Sequence, residues 1–300
     1  MALKDIKAKI QATQRMNKVT RAMEAVSAVK MRKTQTTALA GRSYARAAMS
    51  ILTRLSGTEH VSKHPLAQKR DYKRVALVVM TSDKGLAGAL NSSVLKKAVE
   101  SVSEFTPEQV SVYAYGKKAD EFFSRRGYTV AGRYENKSDT IEIESMEALS
   151  EELARAFLAA EYDKVTVVYS NFKSTFEQIA TERRLLPLSM GALNDIVTGI
   201  LPVKGKFSSS EEVSAPASYS VEPSDEDVLS LLVPRLVAVA LYHMLLESKA
   251  SEHSARMVAM KNASDKSKDV VRDLTRKYNK VRQAAITREV SEIISGSLVT

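Results

Sequence analysis

Long stretches without helix-breaking residues at both ends of the chain constrain its fold most strongly. The first 57 residues contain no proline and only Gly41 and Gly57; after Pro234 there is no further proline, and no glycine before Gly296. Because glycine and proline are the residues that most often end helices, each end predicts one long helix. At 1.5 Å per residue, the first helix would be about 80 Å long. A compact domain of this size cannot bury such a helix, so most of it should project.

Apolar residues recur every three or four positions along both terminal segments, as on the contact face of a coiled-coil helix. In the first segment they form two sets in different phases, which indicates a stutter: Leu3, Ile6 and Ile10, then Ala12, Met16, Val19, Met23 and Val26. In the last segment the seam contains Val271, Leu274, Tyr278, Val281 and Ala285, with Ile293 further on. We expect the two helices to pair as an antiparallel coiled coil that packs closely at Ala22, Ala25, Ala28, Ala255, Ala259 and Ala263.

The last helix is predicted to begin inside a compact domain. Ser224 is followed by three acidic residues, a pattern typical of a helix start, and Pro234 should kink the first turns. Between Leu229 and Leu246 the apolar residues surround the helix on nearly all sides, which indicates burial. From about Ser248 the helix becomes charged, so we expect it to leave the core there.

The middle of the chain alternates between strand and helix patterns. Continuous or alternating apolar runs predict strands at 74–80, 109–115 and 164–169, helical patterns occupy 90–105, 119–125 and 146–160, and 171–188 suggests a strand pair. The expected fold class is therefore α/β, with a central Rossmann-like domain and a long antiparallel coiled coil. We place the domains at 1–57, 58–223 and 224–300, with a Ser- and Pro-rich linker at 189–223.

Charge and composition exclude several classes of function. The chain contains no cysteine, so it has neither disulfides nor thiolate metal sites. Residues 1–57 hold twelve Lys and Arg against two acidic residues, a net charge of +10 that equals that of the whole chain. This basic segment suits an acidic partner, but its lack of aromatic residues before Tyr44 argues against nucleic acid. No apolar segment typical of a signal peptide follows the basic start, so we expect no signal peptide. The most apolar stretch contains Pro234, Arg235 and His243, so we do not expect it to span a membrane.

Candidate chemistry in the chain is weak. The turn sequence TSDKGLAGAL at 81–90 places Gly85 and Gly88 after a strand, but the spacing matches no phosphate-binding motif. His60, His64, His243 and His253 form no metal-ligand spacing, and the carboxylates of Asp265, Asp269 and Asp273 repeat as on a solvated helix face. We therefore expect no catalytic residue, no metal and no cofactor. A coiled-coil scaffold and a nucleotide-binding α/β protein with helical arms remain alternatives.

Five segments resemble the gamma subunit of F-type ATP synthases, in the family's order and at its spacing. They are KVTRAMEAVSAVKMRK at 18–33, TSDKGLAGALN at 81–91, YSVEPSDEDVL at 219–229, EHSARMVAMKNA at 252–263 and YNKVRQAAITREVSEIISG at 278–296. The resemblance spans nearly the whole chain. It implies a central-stalk rotor that couples transmembrane ion flow, taken as proton flow, to ATP synthesis by turning inside a ring of alpha and beta subunits.

The resemblance also implies partners and contact residues. The partners are the alpha and beta subunits, the epsilon subunit and the c-ring, and the family's beta subunits carry acidic loops that would face the basic helix. Within the matching motifs, Arg282, Gln283 and Thr287 are expected to contact beta, with Met23 on the opposite helix near the same level. The immediate helical start favours a peripheral protein on the cytoplasmic face of a bacterial inner membrane, without a transmembrane segment.

Overall fold

The computed structural model describes residues 3–40, 64–137, 141, 143–188 and 225–297. A short 3-10 turn at Pro65–Ala67 precedes the first strand. In chain order the longer elements are α1 (Leu3–Ala40), β1 (Val75–Met80), α2 (Leu90–Ser101), β2 (Val110–Tyr115), α3 (Lys117–Ser124), β3 (Thr129–Tyr134), α4 (Ile143–Leu158), β4 (Lys164–Phe172), β5 (Gln178–Leu186) and α5 (Asp225–Ser297).

The five strands form one sheet in the order β3-β2-β1-β4-β5. Strands β1 to β4 are parallel to one another, and β5 returns antiparallel to β4. The strand pair expected within 171–188 is therefore wrong in its bounds, since that stretch holds only β5 and the end of β4. Strand β3 was not predicted. It lies at the sheet edge, alternates between exposed and half-buried residues, and includes Gly132 and Arg133. An edge strand needs no strongly apolar face, so its sequence carries only a weak signal.

Helices cover both faces of the sheet, as expected for a parallel α/β fold. On one face, alternate residues of β1 (Ala76, Val78 and Met80) pack with buried residues of α4 and α5. On the other face, Val75, Leu77 and Val79 share a cluster with buried residues of α2 and α3. All six residues of β1 are therefore buried, which explains its uninterrupted apolar sequence.

The chain divides into two compact units, one formed by Met1–Val29 with Arg256–Thr300 and the other by Lys30–Ala255. The first unit contains parts of both long helices, and the second contains the sheet. Our sequence-based boundaries at 57/58 and 223/224 lie outside the described residues, as do the end of the first helix beyond Ala40, the 189–223 linker and Ser224. Helix α5 begins at Asp225 and includes Pro234.

Within the sheet-containing unit, α5 first buries the predicted apolar residues, including Leu236, Leu241 and Leu245. The expectation that it leaves the core at Ser248 is wrong, since polar residues as far as Ser254 are also buried. Their side chains are stable in the interior because several of them bond backbone carbonyls of the sheet domain. The polarity of residues 248–254 therefore does not show how far α5 is buried.

Candidate coiled-coil interface

The helical unit is an antiparallel coiled coil of α1 and α5. In α5 the seam recurs at alternating steps of four and three residues, through Met260, Ser264, Ser267, Val271, Leu274, Tyr278, Val281 and Ala285, all buried or half-buried. This arrangement confirms the predicted C-terminal seam as far as Ala285, whereas Ile293 is exposed. A strict heptad of this kind keeps one face of a helix towards its partner over many turns.

The seam of α1 differs from the predicted one. It continues in a single phase from Leu3, Ile6 and Ile10 through Thr13, Asn17, Thr20 and Ser27, which are buried or half-buried. There is no stutter, and Ala22 and Ala25 are exposed rather than at the helix contact. The periodicity of apolar residues does not reveal this seam, because its middle part is polar.

Asn17 explains why a polar seam is stable here. Its side-chain Nδ2 donates to the backbone oxygen of Ser264 at 2.7 Å and to the hydroxyls of Ser267 and Ser264 at 2.7 and 3.1 Å. The hydroxyl of Ser267 in turn donates to the Ser264 backbone oxygen. A polar side chain with partners at one position of the seam favours a single register, because any slide of the helices leaves it unpaired.

We expect Asn17→Ala to destabilise the coiled coil by about 1–2 kcal/mol, since it removes these bonds and leaves two buried serines without them. The matched control is Gln14→Ala, which removes an exposed carboxamide from the same helix and should change stability by less than about 0.5 kcal/mol. Urea unfolding followed by circular dichroism checks both variants. Equal midpoints for the two would contradict the role of Asn17.

The apolar residues displaced from the seam form an exposed stripe on α1. Met16, Val19, Val26 and Val29 are 56%, 58%, 54% and 68% exposed, and Met23 beside them is half-buried. Arg15, Lys18 and Arg21 lie exposed along the same stretch. Such a mixed apolar and basic surface is typical of a contact area for another protein.

The predicted contact residues of α5 lie near its C-terminal end. Arg282, Gln283 and Thr287 are all exposed, and the Thr287 backbone oxygen accepts a hydrogen bond from the Ser291 hydroxyl. Ile286, Val290, Ile293 and Ile294 are also exposed, so this end of the helix carries apolar groups on its surface.

Met23 and Arg282 do not lie at one level of the coiled coil. The contact of Asn17 with Ser264 and Ser267 sets the antiparallel register and places Met23 opposite residues near Ala259. Arg282 is then about 34 Å further along the axis, from the rise of 1.5 Å per residue. The expectation that the two lie near the same level is therefore wrong, and any contacts they make would be at separate places.

The acidic repeat on α5 forms ion pairs within its own helix. Asp265 pairs with Lys268 at 2.8 Å, Asp269 with Arg272 at 3.1 Å and Asp273 with Arg276 at 3.8 Å, all between exposed side chains. The hydrogen bond from Lys268 lowers the pKa of Asp265 from its usual value. This confirms a solvated helix face, and no group of potential metal ligands occurs among the residues that the structure describes.

The turn after β1 lies where doubly wound proteins bind ligands, at the carboxyl ends of the parallel strands. In this protein the polar groups around that turn form hydrogen bonds with one another. The Asp83 carboxylate accepts bonds from the backbone nitrogens of Lys117 and Asn136, the Asn136 side chain donates to the Thr81 backbone oxygen, and the Ser82 hydroxyl bonds Asn91. These bonds support the interpretation of the glycine-containing segment as a structural turn.

The remaining sequence candidates take structural positions where they are described. His64 Nδ1 accepts a bond from the backbone nitrogen of Leu66 and so caps the 3-10 turn, and burial lowers its pKa. His243 lies 3.7 Å from the Glu247 carboxylate, one helical turn away. Within the described ranges, no helix combines the length and the hydropathy needed to span a bilayer.

Comparison with known proteins gives a consistent result along the whole chain. Residues 2–298 match the family model described as ATP synthase. The chain is 38% identical to the ATP synthase gamma chain of Chloroflexus aurantiacus, covering 98% of this chain and 97% of the relative. It is 34% identical to that of Staphylococcus saprophyticus, covering 99% and 98%.

Two solved structures are also similar. One is the central stalk and c-ring of the Tetrahymena thermophila mitochondrial ATP synthase, at 25% identity and a TM-score of 0.60, with 82% of this chain and 99% of that chain covered. The other is a chain of the Euglena gracilis mitochondrial ATP synthase, at 16% identity and a TM-score of 0.67, with 99% and 94% covered. The second likeness concerns the fold alone.

Proposed function

Because the chain belongs to the gamma-chain family of ATP synthases, we propose that it couples proton flow to ATP synthesis by turning inside the enzyme's catalytic ring. It is the central-stalk rotor subunit of an F-type ATP synthase. The family membership over 98% of the chain carries this conclusion. The chain acts as a non-catalytic subunit, and the chemistry occurs on its partners.

The coiled coil has the properties that a rotating shaft needs. Two helices paired along a continuous heptad are stiffer than one, and Asn17 opposes sliding between them. Its exposed surface carries ion pairs within α5 and single apolar side chains between charged residues. Exposed ion pairs contribute only about 0–1 kcal/mol each, so contacts of this kind can break and re-form as the shaft passes one beta subunit after another.

Two separated regions of the shaft contact the ring in this proposal. Arg282, Gln283 and Thr287 make polar contacts with beta subunits near the C-terminal end of α5, and the exposure of all three residues supports this role. Met23 makes a contact on α1 about 34 Å away along the axis, beside the exposed stripe. The basic residues beside that stripe suit acidic loops on the beta subunits.

The other partners follow from the same family. The sheet domain contacts the epsilon subunit and the c-ring, and the chain remains peripheral to the membrane, on the cytoplasmic face of a bacterial inner membrane. The domain division at residues 57/58 and 223/224 stays part of this proposal, with the helical ends as the shaft and the middle as the foot.

The proposed function is tested by co-expressing this chain with alpha and beta subunits. We expect high ATPase activity only in the complex of all three, and rotation of a bead attached to this chain. ATPase activity of equal size without this chain, or a complex that hydrolyses ATP with a stationary bead, would overturn the proposal.

The contact residues are tested by the double variant Arg282→Ala and Gln283→Ala. We expect the rate of ATP synthesis to fall severalfold, while the free energy of unfolding stays within about 0.5 kcal/mol because both side chains are exposed. The control, Arg276→Ala with Asn279→Ala, removes the same charge and a carboxamide from exposed positions on α5. Normal synthesis by the first variant in fully assembled enzyme would show that the assignment is wrong.

A further inference from the structure

A short polar segment of α5, residues 247–254, contacts the sheet domain through side chains rather than through apolar packing. Lys249 is only 2% exposed, and its Nζ donates to the backbone oxygen of Asn136 at 2.6 Å. The Ser251 hydroxyl donates to the backbone oxygen of Ser170 at 3.0 Å, and the Ser254 hydroxyl donates to that of Thr175 at 2.7 Å. Each of these bonds has a backbone acceptor, which a side-chain rotation cannot move.

The three acceptors lie at different places around the carboxyl ends of the parallel strands. Ser170 belongs to β4, Thr175 lies in the turn between β4 and β5, and Asn136 follows β3 at the opposite edge of the sheet. The segment therefore bonds the sheet domain at two separated places, one after the edge strand β3 and one at β4 and the turn that follows it. Because these bonds join α5 to different places in the sheet domain, they resist rotation of the helix about its axis better than bonds to a single strand would.

Asn136 is itself fixed by hydrogen bonds to the turn after β1. Its backbone nitrogen donates to the Asp83 carboxylate, and its side chain donates to the Thr81 backbone oxygen at 2.6 Å. Asp83 also accepts a bond from the backbone nitrogen of Lys117 at the start of α3. The contact of Lys249 therefore reaches the turn after β1 and the start of α3 through a chain of hydrogen bonds.

The segment begins with Glu247, which adds a contact to β4. Tyr169 is buried in that strand, and burial together with the Glu247 carboxylate raises the pKa of its hydroxyl. The neighbouring Arg183 on β5 also bonds this hydroxyl. Residues 247, 249, 251 and 254 thus all bond the sheet domain.

We propose that this segment is a torsional anchor, in which Lys249, Ser251 and Ser254 fix the rotation of α5 relative to the sheet and so transmit torque between shaft and foot. The proposal rests on the rotor function proposed above, and it assigns these three residues a positioning role. Further up α5 the helix is held against the sheet mainly by apolar packing, which sets no direction, together with two longer hydrogen bonds of 3.4 Å at Pro234 and Tyr242. Hydrogen bonds to fixed carbonyls supply that direction.

The test measures the torsional stiffness of the rotor in the assembled complex with alpha and beta subunits. The chain contains no cysteine, so Ser92→Cys at an exposed position of α2 gives one attachment site for a rod on the sheet domain. With the ring held and the motor paused, the width of the rod's angular distribution reports stiffness. We expect a wider distribution for Lys249→Met and for the double variant Ser251→Ala and Ser254→Ala.

Two variants separate anchoring from folding. Lys249→Arg keeps a charged donor and should restore most of the stiffness. Ser248→Ala changes an equally buried serine that takes no part in the three bonds to Asn136, Ser170 and Thr175, so the width should not change. In parallel, amide hydrogen exchange of residues 249–254 should accelerate about tenfold in Lys249→Met, which corresponds to about 1.4 kcal/mol.

An unchanged angular width and unchanged exchange in Lys249→Met and in the double serine variant would overturn the anchor. A width that increases equally in Ser248→Ala would also overturn it, since general loosening would then explain the result. Failure of the proposed function gives a different outcome, because the unmodified chain itself would then not rotate in the complex.

Discussion

Gly116→Ala is expected to destabilise the sheet domain by about 3–5 kcal/mol, a large share of the stability of a typical domain. Gly116 immediately precedes α3 and has φ of +101°, a conformation that costs residues with a side chain about 1–2 kcal/mol. An added Cβ would also overlap the backbone carbonyl of Thr81 and lie 2.9 Å from its side-chain oxygen. Relief of that overlap would require the turn after β1 to shift, with the further cost of overpacking.

The measurement is the urea midpoint of the purified chain. Gly85→Ala is the matched control, because it lies in the turn after β1 with nothing within 4 Å of the added Cβ. Gly88→Ala has the same open surroundings but φ of +59°, so it should show the conformational cost alone. A midpoint for Gly116→Ala no lower than that of Gly88→Ala would contradict the predicted overlap.

Ile6→Asp is expected to open the end of the coiled coil, with a loss of about 4 kcal/mol or more. Ile6 is 0% exposed, and the register set by Asn17 places it opposite the stretch between Leu274 and Tyr278. Removing a buried Ile side chain costs about 2–5 kcal/mol, and a buried carboxylate without a partner adds to this loss. The shaft would then lose stiffness at this end.

Amide hydrogen exchange of residues 3–13 and the ATP synthesis rate of the assembled enzyme check this expectation. Ala8→Asp introduces the same charge at an exposed position two residues away, so exchange and synthesis should remain near those of the unmodified chain. Protection of the α1 amides in Ile6→Asp equal to that in the control would mean that this end of the seam contributes little to the shaft.

Local sequence patterns were sufficient for most of the fold. Strands β1, β2 and β4 are apolar because helices cover both faces of the sheet. The apolar run can therefore be recognised in the sequence of each strand alone. Long glycine- and proline-free segments likewise predicted α1 and α5. The edge strand β3 could not be predicted in this way, because a half-exposed strand does not need a continuous apolar sequence.

The candidate interface was predicted only in part. The exposure of Arg282, Gln283 and Thr287 agrees with a surface role, but the position of Met23 along the shaft could not be derived without the helix register. That register depends on Asn17 and Ser264, which are 247 positions apart in the chain. No periodicity within one helix carries information about such a pair.

The sequence by itself determined which segments are helices and strands, the α/β class and, through its resemblance, the family, because each of these depends on residues close together or on motifs in order. Only the tertiary structure decided which polar residues are buried. Asn17 occupies the seam and Lys249 the sheet domain because each finds a hydrogen-bond partner far away in the chain. Hydropathy assigns such residues to the surface, whereas their partners make burial stable.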